Sequence, residues 1–213
     1  MAALVLVISS PSVASAQAAR LSVPLHRQEH ALSCEVAALK MALGTLGVDV
    51  SEDELLTNLA RDPTPRNVLA DGDVIWGDPD VGFVGDWDGV YGVNGYGVYE
   101  GPIADLARAY GFEGSSPLHD ADPAELYAAV HAGDPVVVWM PYAGQVRGHG
   151  AWTTPAGSEV DYVVTEHAVV LAGVDDDGVV YADPYTATLQ RMSHAQFETA
   201  IAELDDRAVI VQR

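Results

Sequence analysis

The only cysteine among 213 residues, Cys34, lies where an alanine-rich helix is predicted to begin. The first N–H groups of a helix have no intrahelical partner and the helix dipole is positive there, so a thiolate is favoured over a thiol. Gln28, six residues upstream, is placed to donate to an oxyanion together with the Cys34 backbone N–H. These residue types predict attack of a thiolate on a carbonyl carbon. The alternative is a small apolar residue packed in the core.

Seven histidines are candidates for the general base, and His167 has the most suitable surroundings. It opens the apolar segment 167–174, a predicted strand, and the next predicted strand runs into Asp183. A carboxylate on a neighbouring strand holds an imidazole in one tautomer, as a general base requires. A simple hairpin would place Asp183 opposite a residue near Val170. A bulge or a strong twist is therefore needed to join the pair.

Two kinds of hydrophobic pattern divide the chain. The first half carries helical periodicity and capping signals, whereas the second half carries apolar runs typical of strands. The predicted helices are 34–46, 51–60, 102–111, 122–131 and 193–204, and the predicted strands are 135–140, 167–174, 178–182, 188–192 and 208–211. Helices followed by an antiparallel sheet predict an α+β fold.

One domain is expected to occupy most of the chain. Residues 1–18 contain a short uncharged apolar run followed by A-x-A patterns, which predicts a secretory signal peptide. Residues 20–213 form the predicted domain, in which a glycine- and aspartate-rich segment at about 62–100 forms a long loop. Its aromatic residues are expected to anchor this loop to the core. We therefore expect an exported protein, either secreted or held in the cell envelope.

Charge and motif spacing exclude several classes of function. The formal net charge is −21, with one lysine and nine arginines, which argues against nucleic acid as a partner. No segment reaches the roughly 20 consecutive apolar residues of a membrane span, so none is expected after signal removal. The aspartates do not form the twelve-residue calcium loop, and the histidines lack the spacing of zinc motifs. We expect neither a metal nor another cofactor.

Several segments resemble papain-like cysteine peptidases. They are Gln28 and Cys34 separated by five residues, the alanine-rich helix that follows, and EHAVVLAGVDDDGVVYADP. Cys34 precedes His167 by 133 residues, and the papain type has roughly 130–150. More narrowly, VIWGDPDVGFVGDWDG and YGVYEGPIADLARAYG are similar to segments of exported relatives of the double-glycine-leader, bacteriocin-processing peptidases. The resemblance spans roughly residues 23–184.

This resemblance implies a papain-like fold that hydrolyses peptide bonds in a peptide or protein substrate. It implies that Cys34 is the nucleophile and His167 the base. Asp183 would orient the imidazole, and Gln28 would donate to the oxyanion. The tripeptide 33–35 is Ser-Cys-Glu, where the leader-processing enzymes have Asp-Cys-Gly. Two alternatives remain open: a thiol amidase or transpeptidase that acts on cell-wall peptides, and a catalytically inactive peptide-binding module of the same fold.

Overall fold

The computed structural model describes residues 18–213, so the predicted signal peptide, apart from Ala18, lies outside the described residues. The helices are α1 (Cys34–Thr45), α2 (Glu52–Asn58), α3 (Glu100–Ala109), α4 (Pro123–Ala132) and α5 (His194–Ala202), with a 3-10 turn at Tyr142–Gly144. The strands are β1 (Ala19–Arg20), β2 (Arg61–Asp62), β3 (Asn67–Val68), β4 (Val74–Ile75), β5 (Phe83–Val84), β6 (Ser116–Leu118), β7 (Val136–Pro141), β8 (His149–Thr153), β9 (Glu159–Val163), β10 (Glu166–Asp175), β11 (Gly178–Asp183), β12 (Thr188–Met192) and β13 (Ala208–Ile210). None of these helices is long and apolar enough to cross a lipid bilayer.

A seven-stranded antiparallel sheet forms the centre of the fold. Its strand order is β12-β11-β10-β7-β13-β6, and β1 pairs with the C-terminal end of β10. A four-stranded sheet, β3-β4-β8-β9, and the two-stranded sheet β2-β5 lie outside it. The predicted α+β fold, with N-terminal helices packed on an antiparallel sheet, is confirmed.

Helices cover both faces of the central sheet. α1 packs on β10 and β7, whereas α4 and α5 pack on the opposite face. Along β10, Ala168 and Val170 belong to the core around α1, and Val169 and Leu171 belong to the core around α4 and α5. This alternation, which follows from the two-residue period of a strand, decides which side chains of β10 point toward α1.

Capping signals predicted most helix starts. The Ser51 side chain accepts a backbone N–H of the first turn of α2, and Ser193 forms a reciprocal capping box with Gln196 at α5. The sequence predicted that α3 begins at Pro102, but the helix begins two residues earlier, at Glu100. Proline is tolerated throughout the first helical turn, so its position does not define the first residue.

The segment 62–100 is packed against the core, as expected from its aromatic residues. Trp76, Phe83, Tyr96 and Tyr99 are all buried. The segment is nevertheless not a loop throughout, because it contains the short strands β3, β4 and β5. Two-residue strands carry no detectable periodicity in sequence, which is why they were not predicted.

Three longer strands were also missed. β8 and β9 form a hairpin with one largely exposed face, in which Trp152, Val160 and Val163 are the buried residues. The apolar alternation of this hairpin is too sparse to predict strands. β6 contains Pro117, which is compatible with a strand only at the edge of a sheet, and β6 is an edge strand of the central sheet.

Candidate active site

Cys34 is the first residue of α1, as predicted, and it is only 7% exposed. The loop that precedes Cys34 contacts α2 through the buried carboxylate of Glu52. This carboxylate accepts the backbone N–H of Glu29 at 3.1 Å and the hydroxyl of Ser33, and the His26 ring lies 2.7 Å from it. Contacts with a second helix therefore fix the direction in which the chain enters α1.

His167 and Asp183 form a buried pair at the opposite wall of the site. His167 Nε2 lies 2.8 Å from Asp183 Oδ1, and the two residues are 5% and 4% exposed. The Tyr142 ring packs edge-on against the imidazole, with 5.5 Å between the ring centroids. The imidazole is therefore held by one hydrogen bond and one aromatic contact.

The bulge that the sequence required is present between β10 and β11. Their register shifts by one residue between positions 171 and 173. Continued past the shift, this register places Asp183 opposite Val169, which lies on the same face of β10 as His167. Without the shift, Asp183 would oppose Val170 and point to the other face of the sheet.

The surroundings of Asp183 keep its carboxylate ionised. Burial opposes ionisation, but hydrogen bonds from the His167 ring, the Thr186 hydroxyl (2.9 Å) and the Tyr185 backbone N–H (2.8 Å) outweigh it. The pKa of Asp183 is therefore held below its usual value. An ionised carboxylate is an acceptor only, so His167 Nε2 carries the hydrogen and Nδ1 is free to accept a proton.

The polar partners of the Cys34 thiol are two glutamates that the sequence analysis did not identify. Cys34 Sγ donates to Glu35 Oε2 at 3.3 Å, and a carboxylate oxygen of Glu166 lies within 4.8 Å of both groups. Glu166 shares the α1-facing side of β10 with Ala168, whereas His167 is one position out of phase with it. Within residues 18–213, no hydrogen bond joins the Cys34 sulfur to the His167 ring.

The expectation that the helix start lowers the pKa of Cys34 is wrong. Burial, followed by the charges of Glu35 and Glu166, raises the pKa of the thiol well above its usual value. A backbone hydrogen bond from Ala168 acts in the opposite direction without reversing the shift. Burial also raises the pKa of Glu35 to about 7 and that of Glu166 well above its usual value. The resting site therefore holds a neutral thiol.

The raised pKa of Glu35 predicts how stability changes with pH. Glu35 keeps its proton in the folded protein up to about pH 7 but loses it near pH 4.5 when unfolded. Its favourable contribution is complete below pH 4.5 and is lost as the pH rises to about 7. We expect the free energy of unfolding in urea to fall less over this interval in Glu35→Gln than in the wild type. Equal slopes in both proteins would contradict the buried, protonated carboxyl.

Gln28 lies in the same cleft, but its amide group faces the loop. Gln28 Nε2 donates to the carbonyl oxygens of His30 (2.9 Å) and Ala31 (3.1 Å), while Oε1 is buried without a hydrogen bond. The Gln28 backbone N–H donates to the Pro184 carbonyl at 2.9 Å, which ties this loop to the strand end that carries Asp183. The predicted oxyanion contact requires rotation of the amide away from the two carbonyls.

A cleft of about 420 Å³ is lined by three of the four predicted site residues. Its lining includes Cys34, His167, Gln28, Glu166, Leu32, Val164, Arg147 and the tyrosines Tyr91, Tyr96, Tyr142 and Tyr185; Asp183 stands behind His167. The sequence did not point to Tyr142, Tyr185, Arg147 or the glutamates, because no local motif marks them. A signal was available for Glu35 alone, since it occupies a position where the leader-processing enzymes have glycine.

Comparison with known proteins identifies the family of this chain. The model of the Peptidase C39-like family matches residues 20–206 of the chain. The chain belongs to this family. This C39-like protein is 32% identical over 181 residues to the uncharacterised protein YvpB of Bacillus subtilis (strain 168), a match that covers 84% of the chain and 69% of YvpB.

Solved structures place the same C39-like fold in a wider group. A Bacillus anthracis protein assigned as a C39-like peptidase matches with a TM-score of 0.78 and 29% identity, over 93% of this chain and 99% of that one. The peptidase domain of Streptococcus ComA, a bifunctional ABC transporter, matches with a TM-score of 0.51 and 16% identity, over 90% of this chain and 99% of that one. At 16% identity the likeness concerns the fold alone, and the predicted papain-like fold is confirmed.

Proposed function

We propose that this C39-like protein is a cysteine peptidase in which Cys34 is the nucleophile and His167, oriented by Asp183, is the general base. The observation that carries the proposal is the buried 2.8 Å contact between His167 and Asp183 at the wall of the cleft that Cys34 also lines. This contact leaves one ring nitrogen to exchange protons. Membership in the C39-like family supports the same class of reaction.

The proposed reaction is acyl transfer through a thioester. The thiol proton of Cys34 passes to His167 Nδ1 while the sulfur forms a bond to the substrate carbonyl carbon. The carbonyl oxygen becomes an oxyanion, which accepts from the unpaired N–H groups at the start of α1 and from Gln28 once its amide has rotated. The C–N bond then breaks as His167 returns the proton to the leaving amine, and water hydrolyses the thioester.

A mixed peptide library tests this function. We expect the wild-type protein to cleave a subset of peptides, as detected by mass spectrometry, whereas a parallel peptidoglycan digest separates a peptidase from an amidase of cell-wall peptides. Cleavage that persists undiminished in folded Cys34→Ala would contradict a thiol mechanism. We also propose export on the basis of residues 1–18, and the N-terminal mass of the protein recovered from the expressing cells tests it.

One observation favours a second candidate, a peptide-binding module that has kept the fold. The pKa of the Cys34 thiol is raised, as expected of a structural cysteine. The thiol also donates its hydrogen bond to Glu35 and not to His167. In that case Cys34→Ser would leave peptide binding unchanged, and the wild type would cleave no peptide in the library. Isothermal titration with the peptides that the protein retains distinguishes this candidate from the peptidase.

A further inference from the structure

The carboxylate of Glu35 is built into a fixed position beside the sulfur. Glu35 is fully buried, its Oε1 accepts the Val98 backbone N–H at 2.8 Å, and its Oε2 accepts the Cys34 thiol at 3.3 Å. Gly97 makes room for it, because a Cβ at that position would lie 2.2 Å from Glu35 Oε1. Each carboxyl oxygen of Glu35 therefore accepts one hydrogen bond, Oε1 from the Val98 N–H and Oε2 from the Cys34 thiol.

Glu166 adds a second carboxyl group with no compensating charge. Its Oε1 is buried without a hydrogen bond, and within the described residues neither Glu166 nor Glu35 forms an ion pair. Glu35 is buried and Glu166 is half-buried, and two adjacent carboxyls without a cation beside them cannot both ionise at low cost, so a proton remains in the pair. The raised pKa values of both glutamates agree with this arrangement.

We infer that Glu35 and Glu166 are positioning residues that hold the Cys34 thiol hydrogen on the Glu35 side of the sulfur, away from His167. The role of this contact in catalysis rests on the proposed function, although the contact itself does not. Formation of the thiolate then requires the proton to leave the sulfur for His167, and no other reactant is needed. A substrate that fills the cleft and disturbs this contact would release the thiol to His167.

The other ionisable groups around the cluster are few in the described part of the chain. Tyr91, Tyr96 and Tyr99 face it, and burial raises the pKa of each hydroxyl, so all three are neutral at ordinary pH. His167 follows Glu166 on β10, and Arg147 lies on the exposed rim of the cleft. Between pH 5 and 9, a change in thiol reactivity therefore reports on Cys34, the two glutamates and His167.

Alkylation by iodoacetamide as a function of pH tests the inference without any peptidase assay. The Glu35→Gln variant would keep an oxygen for the Val98 N–H but present an amide donor to the sulfur, and Glu166→Gln removes the second carboxylate. We expect both variants to shift the midpoint of the alkylation profile to lower pH by a unit or more. At pH 7 they would then react about tenfold faster than the wild type, since one pKa unit is tenfold in thiolate.

Two control variants make the result decisive. Glu29→Gln removes the same charge near the start of α1 from a half-exposed side chain outside the cluster, and its profile should match the wild type. Glu35→Asp keeps the carboxylate and should keep the midpoint high, which a purely structural role would not predict. An unchanged or higher midpoint in folded Glu35→Gln and Glu166→Gln would overturn the inference. If the midpoints shift but the wild type hydrolyses no peptide, the contact stands and the proposed peptidase function fails.

Discussion

Replacing Cys34 with alanine is expected to lower peptide hydrolysis by on the order of 10⁶-fold. In the proposed mechanism the sulfur forms the covalent intermediate, and without it the His167–Asp183 pair has no nucleophile to activate. The measurement is kcat/KM on a fluorogenic peptide chosen from the library. The loss should appear in kcat, because the variant keeps the tyrosine-lined cleft to which we assign peptide binding.

Cys34→Ser is the matched control for volume and hydrogen bonding. It retains a donor for Glu35 at nearly the same place, yet it replaces the thiol by a far less acidic hydroxyl. Both variants should unfold at temperatures close to that of the wild type, because Cys34 is small and lies at the wall of a cleft. Hydrolysis within tenfold of wild type in folded Cys34→Ala would refute the assignment of the nucleophile.

Replacing His167 with alanine is expected to lower kcat/KM by about 10³-fold, since general acid–base catalysis contributes roughly 10²–10⁴-fold. In the proposed mechanism the imidazole both takes the thiol proton and protonates the leaving amine, so its removal affects two steps of acylation. Comparison of kcat/KM for the wild type and folded His167→Ala on the same fluorogenic peptide measures this loss.

Substitutions of Asp183 provide a graded control for this prediction. In Asp183→Asn the amide oxygen still accepts from His167 Nε2, as asparagine does in papain-like triads, so the variant should retain more activity than Asp183→Ala. Asp183→Ala removes the acceptor and leaves the imidazole tautomer unspecified. Equal losses in the two variants would show that Asp183 does not act through the His167 tautomer.

The elements that carry the predicted site were accessible from sequence because each has a local signal. Cys34 starts a helix of alanines and leucines, His167 starts an apolar strand, and Asp183 ends the next one. The lengths of the two strands even required a bulge, although its location between residues 171 and 173 could not be predicted. That location depends on how both faces of β10 pack, which is a property of the assembled core.

The electrostatics of the thiol were not accessible from the same local signals. A helix dipole contributes at most about 2 kcal/mol, whereas burial shifts a pKa by up to about 3–5 units, or roughly 4–7 kcal/mol. The sequence revealed the effect of the helix dipole at Cys34 but not the effect of burial. The second arises only when β10 brings Glu166 against α1 and the segment around Val98 closes over Glu35.

A burst experiment with an activated ester tests most directly whether Cys34 forms a covalent acyl intermediate. We expect p-nitrophenyl ester substrates to release one equivalent of p-nitrophenol per protein in a fast phase at pH 8, with the acyl mass on the peptide that contains Cys34. Cys34→Ser should show neither the burst nor the adduct. A folded wild-type protein that gives no burst, or acylates at another residue, would contradict the claim.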